Sequence, residues 1–298
     1  MRRLLIPLAI LALALPALAG RNSRYGGGRG FTVNIDDDED GIVTNCNQIH
    51  VTYDSRDVPM ISEDLPVGGL RSLKIRSDRN GGIHVNGGAS RFAVTVCKAS
   101  AFGDARDIRV RLDGNEITGS TSGESNTVVY YLVSAPRGAS LDLSSHNGPI
   151  GIRSVDGTVV AHAQNGPIAV KDSSGSLDIT TQNGPIAFAG DSGTVKLHAT
   201  NGPISVKLAG SYWNGGSLDA ATENGPLALK IPRGYRSGVL VESDGNGPVT
   251  CRAEACRDVR RFNDDGDDER PRRIELGSGA RVITLSTNNG PIAVKEGD

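Results

Sequence analysis

The side chains that could carry out nucleophilic or acid–base chemistry in this chain cluster at Asp142, Ser144 and His146. A carboxylate, a hydroxyl and an imidazole are the components of a nucleophilic triad. Residues two apart on a strand lie about 7 Å from each other, so these three cannot form a direct relay. His162, 18 residues after Ser144, could sit beside it on a neighbouring strand. The next positions at similar intervals are Thr180, His198 and Ala221. Such a series is typical of an ordinary polar face.

Asp142 and Asp178 are the best candidates for the pair of carboxylates that a glycosidase needs. If the two residues lie two strands apart on one sheet, their separation is about 9.6 Å. The sequence indicates no cleft around them. We therefore predict that the protein is not an enzyme. The alternative is a carbohydrate-active β-helix enzyme, a lyase or a hydrolase.

A second set of residues could bind a ligand without reacting with it. The tripeptide Asn-Gly-Pro recurs seven times, and six residues after each Asn lie Arg153, Lys171, Ala189, Lys207, Lys230, Arg252 and Lys295. Four residues after each Asn lie the small side chains of Gly151, Ala169, Ala187, Ser205, Ala228, Thr250 and Ala293. A basic stripe beside a lane of small residues predicts binding of a linear polyanion, such as an acidic envelope polysaccharide or lipid head groups. The alternative is that the charges keep a flat sheet soluble and discourage edge pairing.

These positions are defined by a repeat. The motifs start at Asn147, Asn165, Asn183, Asn201, Asn224, Asn246 and Asn289, at intervals of 18, 18, 18, 23, 22 and 43 residues. Around most motifs, the residues six, four and two positions before the Asn and three and five positions after it are apolar or small. This period of two on both sides indicates two short strands per repeat, each with one buried face. Short repeats of this kind bury their apolar faces by stacking on one another.

The proline of the motif discriminates between two architectures. Asn-Gly suits the turn of an antiparallel hairpin, but the residue after Gly should then donate a hydrogen bond, and proline has no N–H. A solenoid corner needs no such bond. We therefore predict an all-β fold, a right-handed parallel β-solenoid of about seven coils of 18 to 23 residues and two strands each, stacked about 4.8 Å apart. The corner asparagines would then form a ladder of amide hydrogen bonds.

Composition and charge agree with an exported solenoid. Aromatic residues are only 4% of the chain and 39 of 298 residues are glycine, which suits thin sheets with tight corners. The net charge of −2 gives no global basic footprint for nucleic acid. Residues 1–19 have two arginines, an apolar run and a small-x-small site, which predict a secretory signal peptide. We expect no transmembrane segment, and a location in the periplasm, at the cell surface or outside the cell.

The rest of the chain divides into three predicted parts. Residues 20–45 are a flexible lead rich in glycine, arginine and acidic residues. Residues 46–137 are β-rich without the 18-residue register, and form the irregular N-terminal part or cap of the solenoid. Residues 138–298 are the repeat solenoid, with a long loop at 252–280. The acidic residues of that loop, Asp264 to Glu269, could hold calcium, but they match no EF-hand spacing and lie among arginines, so we predict no metal site and no cofactor.

The chain has four cysteines, Cys46, Cys97, Cys251 and Cys256. An even number of cysteines in an oxidising compartment predicts disulfide bonds. Three pairings are possible. We favour Cys46–Cys97 and Cys251–Cys256, because the members of each pair share a region. The alternative for Cys251, on an inward position, is a buried free thiol.

Several segments of the chain resemble a known family: YYLVSAPRGASLDLSSHNGPI, TQNGPIAF, ATNGPISV, SYWNGGSLDAATENGPLAL and IPRGYRSG. They are similar to the bacterial putative-adhesin family, a domain of unknown function built from short β-repeats and related to the head domains of autotransporter adhesins. The resemblance spans roughly residues 68–298. It implies a β-solenoid exported to the cell envelope, with adhesion or scaffolding as its role and no catalytic residues to carry over. Self-association through the solenoid ends is a further expectation.

Overall fold

The computed structural model describes residues 23–25, 30–36, 43–120, 126–245, 247–256, 261–262 and 273–297. The predicted signal peptide at 1–19 lies outside these residues, as do parts of the lead at 20–45 and of the loop at 252–280, including the acidic residues 264–269. The described chain is all β-strand and turn, with three short 3-10 helices, Cys46–Gln48, Ala105–Asp107 and Glu254–Cys256. It includes no helix long and apolar enough to cross a membrane.

The N-terminal strands form a small antiparallel sheet. They are β1 (Ser23–Tyr25), β2 (Phe31–Ile35), β3 (Ile49–Tyr53) and β4 (Arg56–Val58), hydrogen-bonded in chain order. Val33, Ile35 and Val51 of this sheet are buried in a core that also contains Val128 and Tyr130 from a later strand. This N-terminal sheet therefore packs on the outside of the larger β-structure.

Seven strands build the first end of that larger structure. They are β5 (Met60–Leu65), β6 (Ser72–Asn80), β7 (Ile83–Ala89), β8 (Ala93–Ser100), β9 (Arg109–Asp113), β10 (Glu116–Ser120) and β11 (Thr127–Pro136). β6 pairs in parallel with β10, and β7 with β11. Antiparallel strands lie outside these, β9 on β10, and β8 followed by β5 on β11. The end of the stack is thus closed by strands of reversed direction.

The repeats form two stacks of parallel strands. Their strands are β12 (Ser140–Asn147), β13 (Ile150–Arg153), β14 (Thr158–Ala163), β15 (Ile168–Lys171), β16 (Ser176–Asn183), β17 (Ile186–Gly190), β18 (Thr194–Asn201), β19 (Ile204–Leu208), β20 (Leu218–Asn224) and β21 (Leu227–Pro232). The first stack is β6–β12–β14–β16–β18–β20, and the second stack is β7–β13–β15–β17–β19–β21. These large, mostly parallel sheets agree with a solenoid and exclude a hairpin meander in this part of the chain.

The last strands stack out of chain order. They are β22 (Gly238–Ser243), β23 (Val249–Cys251), β24 (Arg261–Phe262), β25 (Arg273–Leu276), β26 (Arg281–Asn289) and β27 (Ile292–Gly297). β26 lies between β20 and β22, and β27 lies between β21 and β23. The last two strands of the chain, β26 and β27, are therefore inserted between β20 and β21 on one side and β22 and β23 on the other. β25 and β24 continue the first stack in antiparallel pairing.

The alternation of buried and exposed residues confirms the predicted register. In β17, Ile186 and Phe188 are each 1% exposed, while Ala187 lies on the outer side. Leu141, Leu143 and Ser145 of β12 are buried in the same way. One continuous core runs between the two stacks from β6 and β7 to the final strands.

The Asn-Gly-Pro corners are in close contact along the stack. A Cβ atom on Gly184 would lie 2.2 Å from the carbonyl oxygen of Gly166, so only glycine fits there. The predicted ladder of asparagines is present, with Asn183 Nδ2 donating to Asn165 Oδ1 at 3.0 Å. Equivalent bonds of 3.0 to 3.1 Å join Asn165 to Asn147, Asn201 to Asn183, Asn224 to Asn201 and Asn289 to Asn224.

Two disulfides join Cys46 to Cys97 and Cys251 to Cys256, the pairing that the sequence favours. Cys46 belongs to the turn before β3, and Cys97 lies in β8, so this bond ties the N-terminal sheet to the end of the stack. Both residues are buried in the core that the two regions share. The second bond closes a short loop directly after β23.

Replacing Ile186 with Asp should lower the free energy of unfolding by several kcal/mol, because an unpaired carboxylate would be buried between the stacks. The matched change Ala187→Asp places the same group on the outer side and should cost much less. Thermal or urea denaturation of both variants measures the difference. Equal losses would contradict the register.

Replacing Gly184 with Ala should lower the free energy of unfolding by about 2 kcal/mol or more, because the new methyl group overlaps the Gly166 carbonyl. Gly68→Ala is the control, since a Cβ there meets no atom within 4 Å. That variant should be neutral or slightly stabilised. Urea denaturation compares the two, and a tolerated change at Gly184 would show that the corners can move apart.

Candidate functional site

The carboxylate considered for catalysis is held in an ion pair. Arg76 in β6 donates from Nη1 and Nη2 to the two carboxylate oxygens of Asp142, each at 2.7 Å. These hydrogen bonds lower the pKa of Asp142 from its ordinary value. A general acid needs the opposite shift, so that it keeps its proton near neutral pH. Asp142 therefore anchors β6 to β12 and is unsuited to acid catalysis.

The other candidates for chemistry lie on the open outer face of the first stack. His162 is the register partner of Ser144, as predicted, and Asp178 is separated from Asp142 by Val160. Val160 is 46% exposed. The outer face therefore places an apolar side chain where two catalytic carboxylates would share a substrate.

The basic residues form a column on the outer face of the second stack. Register pairs join Arg153 to Lys171, Lys171 to Ala189, Ala189 to Lys207, Lys207 to Lys230, and Lys230 to Lys295. Arg252 follows, because its backbone N–H donates to Val294 at 2.9 Å. The spatial order therefore differs from the chain order at the end, where Lys295 lies between Lys230 and Arg252.

Buried Ala189 divides this column into two parts. Arg153 and Lys171 are partly buried, and Arg153 Nη2 lies 3.9 Å from Asp172 Oδ2. On the other side, Lys207, Lys230, Lys295 and Arg252 are consecutive, and we name them the basic tetrad. Within the described ranges, no carboxylate forms an ion pair with a lysine of the tetrad.

Carboxylates near the tetrad are occupied by a different arginine. Arg233 Nε contacts Glu296 at 2.7 Å and Glu254 at 3.1 Å. Glu296 also accepts a hydrogen bond from the backbone N–H of Glu254 at 3.1 Å. The single guanidinium of Arg233 thus offsets one of the two negative charges next to Lys295 and Arg252.

The lane of small residues runs beside the column, as predicted. Gly151, Ala169, Ala187, Ser205, Ala228 and Ala293 are partly exposed on successive strands. Their short side chains leave a smooth track along the stack axis. The basic side chains rise along one border of it.

At one end, the lane stops at His84 of β7, the register partner of Gly151. The His84 ring stacks on Tyr130, with centroids 6.1 Å apart and planes 17° from parallel. Its Nε2 is shielded from solvent and has no hydrogen-bond partner among the residues that the structure describes. Burial lowers the pKa of His84 to about 4.

Sequence reasoning missed His84 and its neighbour Asn86, although a signal was present. Asn80-Gly81-Gly82-Ile83 repeats the corner motif with glycine in place of proline. Counted from Asn80, His84 is in the lane position and Asn86 in the position of the basic column. The register pairs Gly151–His84 and Arg153–Asn86 confirm this alignment.

No family model matches the chain. No curated protein matches it at a significant level.

Solved structures that are similar to this chain include three from bacteria. One is described as a putative adhesin from Bacteroides fragilis NCTC 9343, with 11% identity, a TM-score of 0.39, and coverage of 80% of this chain and 97% of its own. A putative cell adhesion protein from Clostridium sporogenes ATCC 15579 has 8% identity, a TM-score of 0.28 and coverages of 80% and 100%. A putative adhesin from Parabacteroides merdae ATCC 43184 has 9% identity, a TM-score of 0.24 and coverages of 79% and 96%.

The low pKa of His84 predicts a pH-dependent loss of stability. Below pH 6.5 the unfolded chain protonates this histidine, whereas the folded chain keeps it neutral down to about pH 4. Stability should therefore fall as pH drops through this window, by roughly 3 kcal/mol for His84. Urea denaturation at pH 7.5 and 4.5 should show a larger loss for the wild type than for His84→Gln. Identical losses would show that His84 protonates freely in the folded protein.

Proposed function

We propose that this protein is an exported, non-catalytic protein of the cell envelope, of the adhesin or scaffold type, and that it binds an anionic polysaccharide. The ligand lies along the second stack, over the lane of small residues, with its negative charges on the basic tetrad. The observation that carries this proposal is the alignment of Lys207, Lys230, Lys295 and Arg252 on neighbouring strands.

Electrostatics support a ligand on this face. Neighbouring strands are about 4.8 Å apart, and two like charges at that distance repel by roughly 0.9 kcal/mol in water before salt screening. The four charges of the tetrad form three neighbouring pairs, and each pair carries this repulsion. A polyanion whose charges recur at a similar spacing would remove the repulsion and gain attraction at each step.

The position of the lysines argues against protection of a sheet edge as their role. Charged residues protect a sheet from aggregation when they lie on its edge strands. Lys207 in β19, Lys230 in β21 and Lys295 in β27 lie on interior strands of the second stack, each with a partner strand on both sides. Edge protection therefore accounts for Arg252 at most, which directly follows the outermost strand, β23.

Export is supported by two features of the chain. Disulfides such as Cys46–Cys97 persist in oxidising compartments outside the cytosol. The N-terminal sequence has the composition of a secretory signal peptide. The periplasm, the cell surface and the extracellular space all fit these features.

The proposed scaffold for this face is a right-handed solenoid of about seven coils over residues 138–298, preceded by the β-rich part over 46–137. The parallel pairing of β12 to β21 in two stacks supports it. The same pairing extends to β6 and β7, so the stacked region begins before residue 138.

The triple variant Lys207→Gln, Lys230→Gln, Lys295→Gln should lose about tenfold or more of its retention on immobilised polygalacturonate, because three of four aligned charges are removed. Wild-type retention should itself weaken steeply as salt is raised. Frontal affinity chromatography at several salt concentrations measures both effects.

The control variant carries Arg71→Gln, Lys74→Gln and Lys196→Gln, three exposed basic residues that lie in or directly before strands of the first stack. It has the same net charge as the triple variant and should bind like the wild type. Equal losses of retention in both variants would show that binding depends on the net charge of the protein and not on the tetrad. Wild-type binding to phosphatidylglycerol vesicles without retention on polygalacturonate would instead assign the face to lipid head groups.

A further inference from the structure

The corner between β19 and β20 is longer than the corner between β17 and β18 that it stacks on. Register pairs join Ala189 to Lys207 before the corner and Val195 to Leu218 after it. Six positions separate Ala189 from Val195, but eleven separate Lys207 from Leu218. The five additional residues belong to a loop, 209–217, that begins two residues after Lys207 of the tetrad. We name it the Tyr212 loop.

The base of the Tyr212 loop is fixed to the neighbouring coil. The N–H groups of Ala209 and Asn214 donate to the carbonyl oxygens of Gly190 and Asp191, at 3.1 and 2.8 Å. Because Gly190 and Asp191 are consecutive, the two ends of this segment are held close together. Residues 210–212 therefore lie at the tip of the loop.

The residues on either side of Tyr212 are held as well. Trp213 is 6% exposed and packs on Phe188, with ring centroids 6.0 Å apart. The carbonyl of Ser211 accepts a hydrogen bond from the N–H of Arg236 at 2.9 Å. The backbone around Tyr212 is thus fixed before any ligand arrives, which lowers the entropy cost of binding there.

Tyr212 is 56% exposed although its neighbour Trp213 is buried. Among the described residues, Phe102 is an aromatic side chain of equal exposure, and it packs edge-on against Tyr53 with ring centroids 5.1 Å apart. No aromatic ring of the described ranges packs on Tyr212. An exposed ring on a fixed backbone is thus available to a ligand.

The Tyr212 loop lies on the outer side of the basic column. The lane is four residues after each corner asparagine and the column six, and the loop begins eight residues after its own corner asparagine. The bond between Arg236 and Ser211 places the loop against the corner that follows β21, the strand of Lys230. A polymer that runs along the tetrad therefore passes beside the loop at Lys207 and Lys230.

An aromatic ring beside a row of positive charges discriminates among polyanions. A sugar ring has a face of C–H groups that packs on the apolar face of tyrosine, and its hydroxyls suit the phenol group. A chain of phosphates carries negative charge but has no such face. The tetrad attracts both kinds of polymer through charge, whereas Tyr212 favours the polymer that is built of sugars.

We propose that Tyr212 stacks on a sugar ring of the bound polysaccharide, and that this contact makes the face selective for acidic polysaccharides over polyphosphate. This assignment rests on the proposed function, because it adds a sugar-specific contact to the face that binds the polymer. The tetrad supplies attraction to repeated negative charge, and Tyr212 recognises what the charges are attached to.

Frontal affinity chromatography of the full-length protein on immobilised polygalacturonate and on immobilised polyphosphate tests the proposal. Tyr212→Ala should lose about fivefold of its retention on polygalacturonate, because the stacking contact is removed, and should keep its retention on polyphosphate. Tyr212→Phe retains the ring and should bind polygalacturonate almost as the wild type does. The control Phe102→Ala removes a ring of equal exposure after β8 and should bind both polymers like the wild type.

A neutral galactose tetrasaccharide separates the stacking contact from the tetrad. In saturation-transfer NMR, the wild type and the triple lysine variant should both transfer signal to this sugar, and Tyr212→Ala should not. Transfer that depends on Tyr212, without retention of the wild type on polygalacturonate, would support the stacking contact and refute the proposed role of the tetrad.

Thermal denaturation establishes that each variant is folded. The proposal is overturned if the wild type transfers no signal to the tetrasaccharide, or if Tyr212→Ala transfers signal as the wild type does. It is also overturned if Tyr212→Ala is retained on polygalacturonate like the wild type, or loses retention equally on both polymers.

Discussion

The structure depends on the close approach of one corner to the next. Each corner glycine lies where a β-carbon would overlap the carbonyl oxygen of the glycine below it, as at Gly184 and Gly166. This contact brings the asparagine amides within hydrogen-bonding distance and lets the carbonyl of Pro185 accept from Ile168 at 3.0 Å. Because proline lacks an N–H, the corner can use it without leaving a donor unsatisfied. Register, core and outer columns all follow from this one contact.

Much of the repeat could be predicted because its period is short and regular. Alternation around Asn183 was enough to predict that Ile186 points inwards, and the missing N–H of the proline was enough to predict parallel stacking. The order of the final strands does not follow the chain order of the motifs, although Ile283 and Leu285 before Asn289 fit the repeat and Glu242 before Asn246 does not. Nor could the packing of the connection between β2 and β3 beside the end of β13 be predicted, because these segments, at Thr44 and Arg153, are distant in sequence.

The stacking that orders the corners also orders the charges. Strand stacking determines which residues lie next to a residue six positions after a corner asparagine. A basic residue at that position therefore joins the column even when the other members of the column are distant in sequence. The insertion of β27 between β21 and β23 illustrates this, because it brings Lys295 between Lys230 and Arg252. The N-terminal sheet breaks the regularity at the other end and turns an open column into one that terminates beside Arg153.

The asparagine ladder also bears on the chemical ageing of the chain. Asparagine followed by glycine is the dipeptide most prone to deamidation, in which the glycine nitrogen attacks the side-chain carbonyl carbon and ammonia leaves. At Asn201 the glycine nitrogen that would attack, that of Gly202, donates to the Asn224 carbonyl at 3.0 Å, and the amide itself is held between Asn183 and Asn224. In the folded stack, hydrogen bonds thus hold both the glycine N–H and the asparagine side-chain amide, which slows the reaction between them. A chain that stays unfolded loses this protection. The aspartate or isoaspartate that then forms would place a negative charge within the ladder, and this damage would persist after the chain refolds.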